Sequence, residues 1–288
     1  MAKAPDRLLT RKRQKWAEER GGAQFRGTPL TAPAAPEVRL RQSLEKMITE
    51  MSRTCIREVK TLYRQPEAAT VAMDASFAEM AGRLMSKLRQ KFEKLFGSRA
   101  LSLSRTMQEG VNRASAGQLR QSLKEVSGGL SLKTDVIKGP IEESMKAGIK
   151  DGVSLIKSLP SKYFDDIEGA VFRSIQSGRG MADLVPTLER MGGISKRRAA
   201  LIARDQTSKA TTALNKARMK SMGVKQFEWL HSGGGKEPRK LHLAFNGRIF
   251  SLDDPPVIDE RTGERGYPGQ LINCRCRMVP VLTFGDDE

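Results

Sequence analysis

At Gly223 the spacing of apolar residues changes character, and that change limits the fold more than any other feature of the chain. Upstream, hydrophobic residues recur at three- and four-residue steps, as in helices that bury one face. Leu40, Leu44, Met47, Ile48, Met51, Cys55, Val59 and Leu62 form one stripe, interrupted at Pro66. Phe77, Ala81, Leu84, Leu88, Phe92 and Leu95 form a second, with Gly97 as its stop. Leu103, Met107, Val111, Leu119, Leu123 and Val126 form a third, closed by Gly128-Gly129. Ile137, Ile141, Met145, Ile149 and Val153 lead to Pro160, and Phe164, Ile167, Val171 and Ile175 run towards Gly178 and Gly180. A short helix from Met181 to Met191 is predicted to end at Gly192-Gly193, before a long helix with Ser195 as N-cap and Gly223 as C-cap. Its inner face holds Ile202, Thr207, Leu214 and Ala217.

Downstream of Gly223, VKQFEWLHS, GRIFSL and RMVPVLTF have the β-branched and aromatic make-up of strands, with Pro280 marking an edge or a bend. The expected fold class is therefore α+β. A mainly helical N-terminal region precedes a small C-terminal module in which a long helix packs on a short antiparallel sheet. With 38% hydrophobic and 5% aromatic residues, the core is expected to be thin and helical.

Three segments follow from this pattern. Residues 1–36 read as a basic flexible arm and linker: RLLTRKRQKWAEER, then GGAQFRGTPLTAPAAP, whose Gly, Pro and Ala content is not expected to bury a core. Residues 37–160 read as an extended helical region, and residues 161–288 as the C-terminal module. Lys and Arg number 51 against 33 Asp and Glu, for a formal charge of +18. Such a surface attracts polyanions, so nucleic acid or an acidic protein surface is the expected neighbour. Arg11, Lys12, Arg13 and Lys15 are candidate phosphate contacts; the same arm can instead dock on a partner or remain a disordered tail. The chain has no apolar run of membrane-spanning length, and its basic N-terminus has no apolar stretch of the kind a signal peptide needs. Three cysteines cannot all pair, which favours a reducing compartment; Cys55, on an apolar stripe, reads as a small buried hydrophobe.

The chemistry-bearing residues concentrate between Trp229 and Pro280. His242, Cys274 and Cys276, with His231 as a fourth, make up a Cys2His2 set of the kind zinc accepts tetrahedrally. The alternative is that both cysteines lie on one side of a strand and pack inward while His242 bonds a loop carbonyl. A nuclease-like reading pairs His231 and His242 with Glu237, Arg239 and Lys240. Gly233-Gly234-Gly235 is no phosphate loop, because no GxxxxGK[ST] follows. Alternation places Arg275 and Arg277 opposite the cysteines, where they face DNA phosphate, an acidic protein surface or solvent.

Ala203-Arg204 and Asn215 on the long helix are followed by Gly223, Trp229, His242, Asn246-Gly247, Pro268-Gly269 and Asn273-Cys274-Arg275-Cys276. This ordered series, within Ser161 to Leu282, resembles the phage Mu F-like (SPP1 gp7-like) head morphogenesis family. Many of that family carry Asp-x-Arg ahead of the histidine, where this chain has Glu237-Pro238-Arg239. The resemblance implies a minor capsid protein of a tailed phage or prophage, acting in head assembly at the portal and capsid interior and, in some members, in DNA packaging or ejection. Implied partners are portal protein, major capsid or scaffold protein, and double-stranded DNA bound without sequence preference. The implied location is the virion, with host cytoplasm during assembly. No catalytic role and no cofactor other than zinc are expected.

Overall fold

In chain order the elements are α1 (Arg11–Glu18), β1 (Ala23–Arg26), α2 (Ala34–Tyr63), α3 (Ala75–Ser127), α4 (Pro140–Gln176) and α5 (Met181–Ser221). After α5 come β2 (Gln226–Leu230), α6 (Lys240–Ala244), β3 (Ile249–Ser251), β4 (Val257–Asp259), β5 (Glu264–Arg265) and β6 (Arg277–Phe284). The structure is a computed structural model and describes residues 8–64, 75–135, 138–177, 181–233 and 237–284. The expectations attached to Arg7, Pro66, Ile137, Gly178, Gly180, Gly234, Gly235 and the GDDE end lie outside those residues. The α+β class and the predicted change of period at Gly223 both hold. Gly223 has φ 82°, and beyond it the Val224 N–H closes on the Met219 carbonyl at 2.9 Å.

Several predicted breaks do not occur. Gly97 lies inside α3, Pro160 inside α4, and Gly192-Gly193 with Ser195 inside α5. A glycine costs a helix interior only about 1 kcal/mol relative to alanine, which packing readily offsets. At Gly192 the packing itself calls for glycine, since a Cβ would stand 2.6 Å from Ser52 Oγ. The stop at Gly128-Gly129 does occur, with φ of 82° and 113° just past Ser127.

The chain divides into two compact units, Val38–Thr106 with Ile149–Ala203, and Met1–Glu37 with Met107–Gly148 and Arg204–Glu288. The first is helical. Its α2 stripe buries Leu40, Leu44, Ile48, Met51, Cys55, Val59 and Leu62. On α3 the buried face runs through Met85 and Phe96 rather than the neighbouring Leu84 and Leu95. Phe92 stacks on Phe164 at 6.3 Å, and Tyr163 meets Phe164 edge-on. Burial pushes the Cys55 thiol up to about 12, so it behaves as a hydrophobe.

The second unit holds the sheet, in the order β1-β6-β2-β3 with antiparallel pairing. Phe227 and Trp229 alternate inward from β2, and Trp229 lies opposite Met278. Their core also takes Leu119, Leu123 and Val126 from α3, Met219 from α5, and Phe245, Leu252, Ile258 and Tyr267. Two expectations are corrected here. Strand β6 is central rather than an edge, although it contains Pro280. The Pro280 carbonyl accepts from Gly27 N–H at 2.9 Å, so its donor-less nitrogen faces the same side, just past the end of β1 at Arg26, and no bond of the β1 ladder is lost.

The second correction concerns residues 8–36, which are not a coreless linker. Phe25 is buried opposite Leu282, and Leu30 bonds Met278 through its backbone. The backbone of β6 needs partners on both sides, and this short polar strand supplies them on one. Helix α1 docks on the carbonyl end of α3, where Thr10 N–H reaches Ser127 O at 2.9 Å and Arg13 reaches Glu125 O at 2.9 Å.

Candidate functional site

Four residues on one face of α5 hold the turn that follows β5. Thr212 Oγ1 donates to the Pro268 carbonyl at 2.6 Å and Ser208 Oγ to the Gly269 carbonyl at 3.1 Å. One turn earlier, Asp205 accepts the Asn273 N–H at 2.9 Å and Arg204 donates to Asn273 Oδ1 at 2.5 Å. The steps from 204 through 208 to 212 place these groups one above another along the helix. Gly269 has φ 83° and lets the turn approach closely: a Cβ there would lie 2.8 Å from Ser208 Oγ and 2.9 Å from Thr212 Oγ1. Asn273 has φ 61°, a left-handed conformation that asparagine tolerates better than most residues.

From Asn273 the chain turns inward and buries Cys274 and Cys276. Opposite them is His242, 2% exposed, on the short α6. Trp229 packs edge-on against its ring at 4.9 Å. His242 Nε2 donates to the Ile258 carbonyl at 3.1 Å, which fixes the tautomer and leaves the Nδ1 lone pair free. Nδ1 faces both sulfurs, 3.5 Å from Cys274 Sγ and 3.8 Å from Cys276 Sγ. The three ligand atoms all lie within 4.8 Å of one another.

The two thiols divide their protons unequally. Hydrogen bonding from Cys276, then from the backbone N–H groups of Cys276 and Gly269, pulls Cys274 below the usual thiol range against the opposing effect of burial. Cys276 is pushed up, first by its bond to Cys274 and then by burial. The buried indole nitrogen of Trp229 has no oxygen or nitrogen partner among the described residues, and its N–H acts on Cys276 in the opposite direction. Two sulfurs beside an oriented imidazole suit a soft or borderline metal ion.

His231 stands outside this cluster. Its backbone N–H donates to Asn246 Oδ1 at 2.8 Å, and its Nδ1 accepts the Gly233 N–H at 3.1 Å. It does share a cavity of about 660 Å³ with His242, Glu237 and Arg239, so part of the nuclease-like set is brought together; Lys240 is exposed and not in the cavity wall. Cys274 and Cys276 precede β6 rather than lying in a strand. Arg275 and Arg277 border a second cavity of about 460 Å³ together with both cysteines, so the arginines are not segregated on an opposite face. Arg275 is exposed and Arg277 half-buried. Asn215 lines the same cavity, buried, with neither amide atom hydrogen-bonded among the described residues. Of the basic residues on α1, Arg11, Lys12 and Lys15 are exposed, whereas Arg13 is committed to Glu125 O and to the face of Phe25.

Asp205, Ser208 and Thr212 were not among the expected site residues. Their signal is three short polar side chains at three- and four-residue steps along one face of a helix.

Residues 165–279 match the family model described as phage Mu protein F like protein, and this stretch includes the α5 face, His242 and both cysteines. This segment is similar to the phage Mu F-like family. An uncharacterized protein of Haemophilus influenzae is 29% identical to the chain over 260 residues, covering 88% of the chain. The chain spans about half the length of that relative, 55%. No solved structure matches. Within the Mu F-like segment, Arg204, Gly269 and Asn273 occupy one interlocked arrangement rather than scattered positions.

Proposed function

We propose that this protein is a minor head protein of a tailed phage or prophage, built into the capsid interior near the portal during head assembly. The observation that carries this reading is the Mu F-like segment at 165–279. The formal charge of +18 supports a position against packaged DNA, held through phosphates and indifferent to base sequence. The partners in this reading are portal protein and major capsid or scaffold protein. The role is structural, with no catalytic step. Among the described residues no helix is long and apolar enough to cross a membrane.

Deleting the coding sequence from the phage that carries it tests the role. The reading expects a loss of DNA-filled heads that the intact chain restores; unchanged head yield and infectivity would overturn it. The cavity shared by His231, Glu237, Arg239 and His242 favours one other reading, a nuclease-like centre. His231→Ala separates the two: a nuclease would lose DNA cleavage, whereas a head protein would still restore head yield.

A further inference from the structure

We propose that His242, Cys274 and Cys276 bind one zinc ion per chain. Two bonds of about 2.3 Å to sulfur and 2.0–2.1 Å to nitrogen, meeting at a tetrahedral angle, separate the ligand atoms by about 3.6 Å. The distances from Nδ1 to the two sulfurs are 3.5 and 3.8 Å. Nδ1 has one lone pair and can accept one S–H, yet two sulfurs stand at nearly the same distance from it. A cation in contact with all three, set out of their plane as tetrahedral geometry requires, satisfies them together.

The surroundings fit the same ion. His242 spends its other ring N–H on the Ile258 carbonyl, the outer contact that orients a metal-binding imidazole. All three residues are at most 7% exposed, so the donors are withdrawn from water. Two thiolate sulfurs and an imidazole suit zinc, whereas magnesium and calcium prefer oxygen. The ligands come from α6 and from the segment just before β6, and bridging them would fasten a small core across a long stretch of chain. The cavity beside the three residues, lined also by Ser232 and Glu237, leaves room for a water as a fourth ligand. His231 is not a ligand, since its Nδ1 is held by Gly233. The site does not depend on the head-assembly reading.

The test uses the full chain, purified under reducing conditions from zinc-supplemented medium. Elemental mass spectrometry is expected to give about one zinc per chain. X-ray absorption at the zinc edge is expected to show two sulfurs in the first shell. Cys274→Ser and Cys276→Ser should each lower zinc content at least tenfold, while His231→Ala and Cys55→Ala keep it. If the cysteine variants fail to fold, titrating the wild-type chain with an organomercurial should release zinc in step with two thiols. A zinc-free chain, a first shell of nitrogen and oxygen alone, or zinc retained after both thiols are blocked would overturn the proposal.

Discussion

Gly269→Ala is expected to be among the most damaging single-methyl additions in the sheet-containing unit. A left-handed φ of 83° costs an alanine about 1–2 kcal/mol. The new methyl would also press on Ser208 Oγ and Thr212 Oγ1, at 2.8 and 2.9 Å. Those hydroxyls are the donors that hold the Gly269 and Pro268 carbonyls, so relieving the contact forfeits one or both bonds, each worth about 0.5–1.5 kcal/mol net. The sum is roughly 1.5–5 kcal/mol, which lowers a urea midpoint by about 0.75–2.5 M at a slope near 2 kcal/mol/M. Both tryptophans, Trp16 and Trp229, lie in this unit, so their fluorescence reports its unfolding.

A second background isolates the cause. With Ser208 and Thr212 both changed to alanine, the methyl meets no hydroxyl, and Gly269→Ala should then cost only the backbone term of about 1–2 kcal/mol. An equal cost in both backgrounds would refute the steric half of this reasoning. No cost in either would refute the turn geometry itself.

Arg218 is 1% exposed and donates to Thr134 O, Ser115 Oγ and the carbonyl and side chain of Asn112. Burial holds its pKa down to about 10. Arg218→Ala should cost about 3–5 kcal/mol by leaving those acceptors unpaired, and Arg218→Lys should recover little because lysine lacks the planar fork; urea melts of both variants check this. Burial raises the Asp205 pKa, so its stabilising contribution is complete below the unfolded value near 3.8 and fades as pH rises through the folded value. Asp205→Asn keeps an acceptor for the Asn273 N–H, so it should raise the urea midpoint at pH 7 and leave it unchanged at pH 3. On α1 the basic residues should separate by role. Arg13→Ala should lower stability by about 1–2 kcal/mol through its bond to Glu125 O, while Arg11, Lys12 and Lys15 to Ala should each reduce the salt slope of DNA binding by about one without altering the melt.

Much of the fold was legible because it rests on local chemistry. The Gly128-Gly129 and Gly223 stops are backbone positions with positive φ, and the β2 and β6 segments carry strand composition on their face. Gly97, Gly192 and Pro160 misled because the packing of a long helix, which sequence spacing does not display, offsets costs of about 1 kcal/mol for a glycine and about 3 kcal/mol for a proline. Strand β1 was hidden by Gly and Pro neighbours: its pairing is dictated by the open side of β6, more than 250 residues later. In the site, the approach of His242 to the two cysteines followed from residue type. The exclusion of His231 did not, since it depends on local bonds to Gly233 and Asn246. The clasp from Arg204 to Thr212 was equally silent, because its partners are two backbone carbonyls, one backbone N–H and one side-chain amide oxygen on a turn more than fifty residues away.

The most direct measurement of the head-protein account is quantitative mass spectrometry of purified, nuclease- and protease-treated DNA-filled heads. The account predicts this chain inside them, protected from protease, in a fixed number of copies well below that of the major capsid protein. Its absence from such heads, or its complete removal by external protease, would contradict the account.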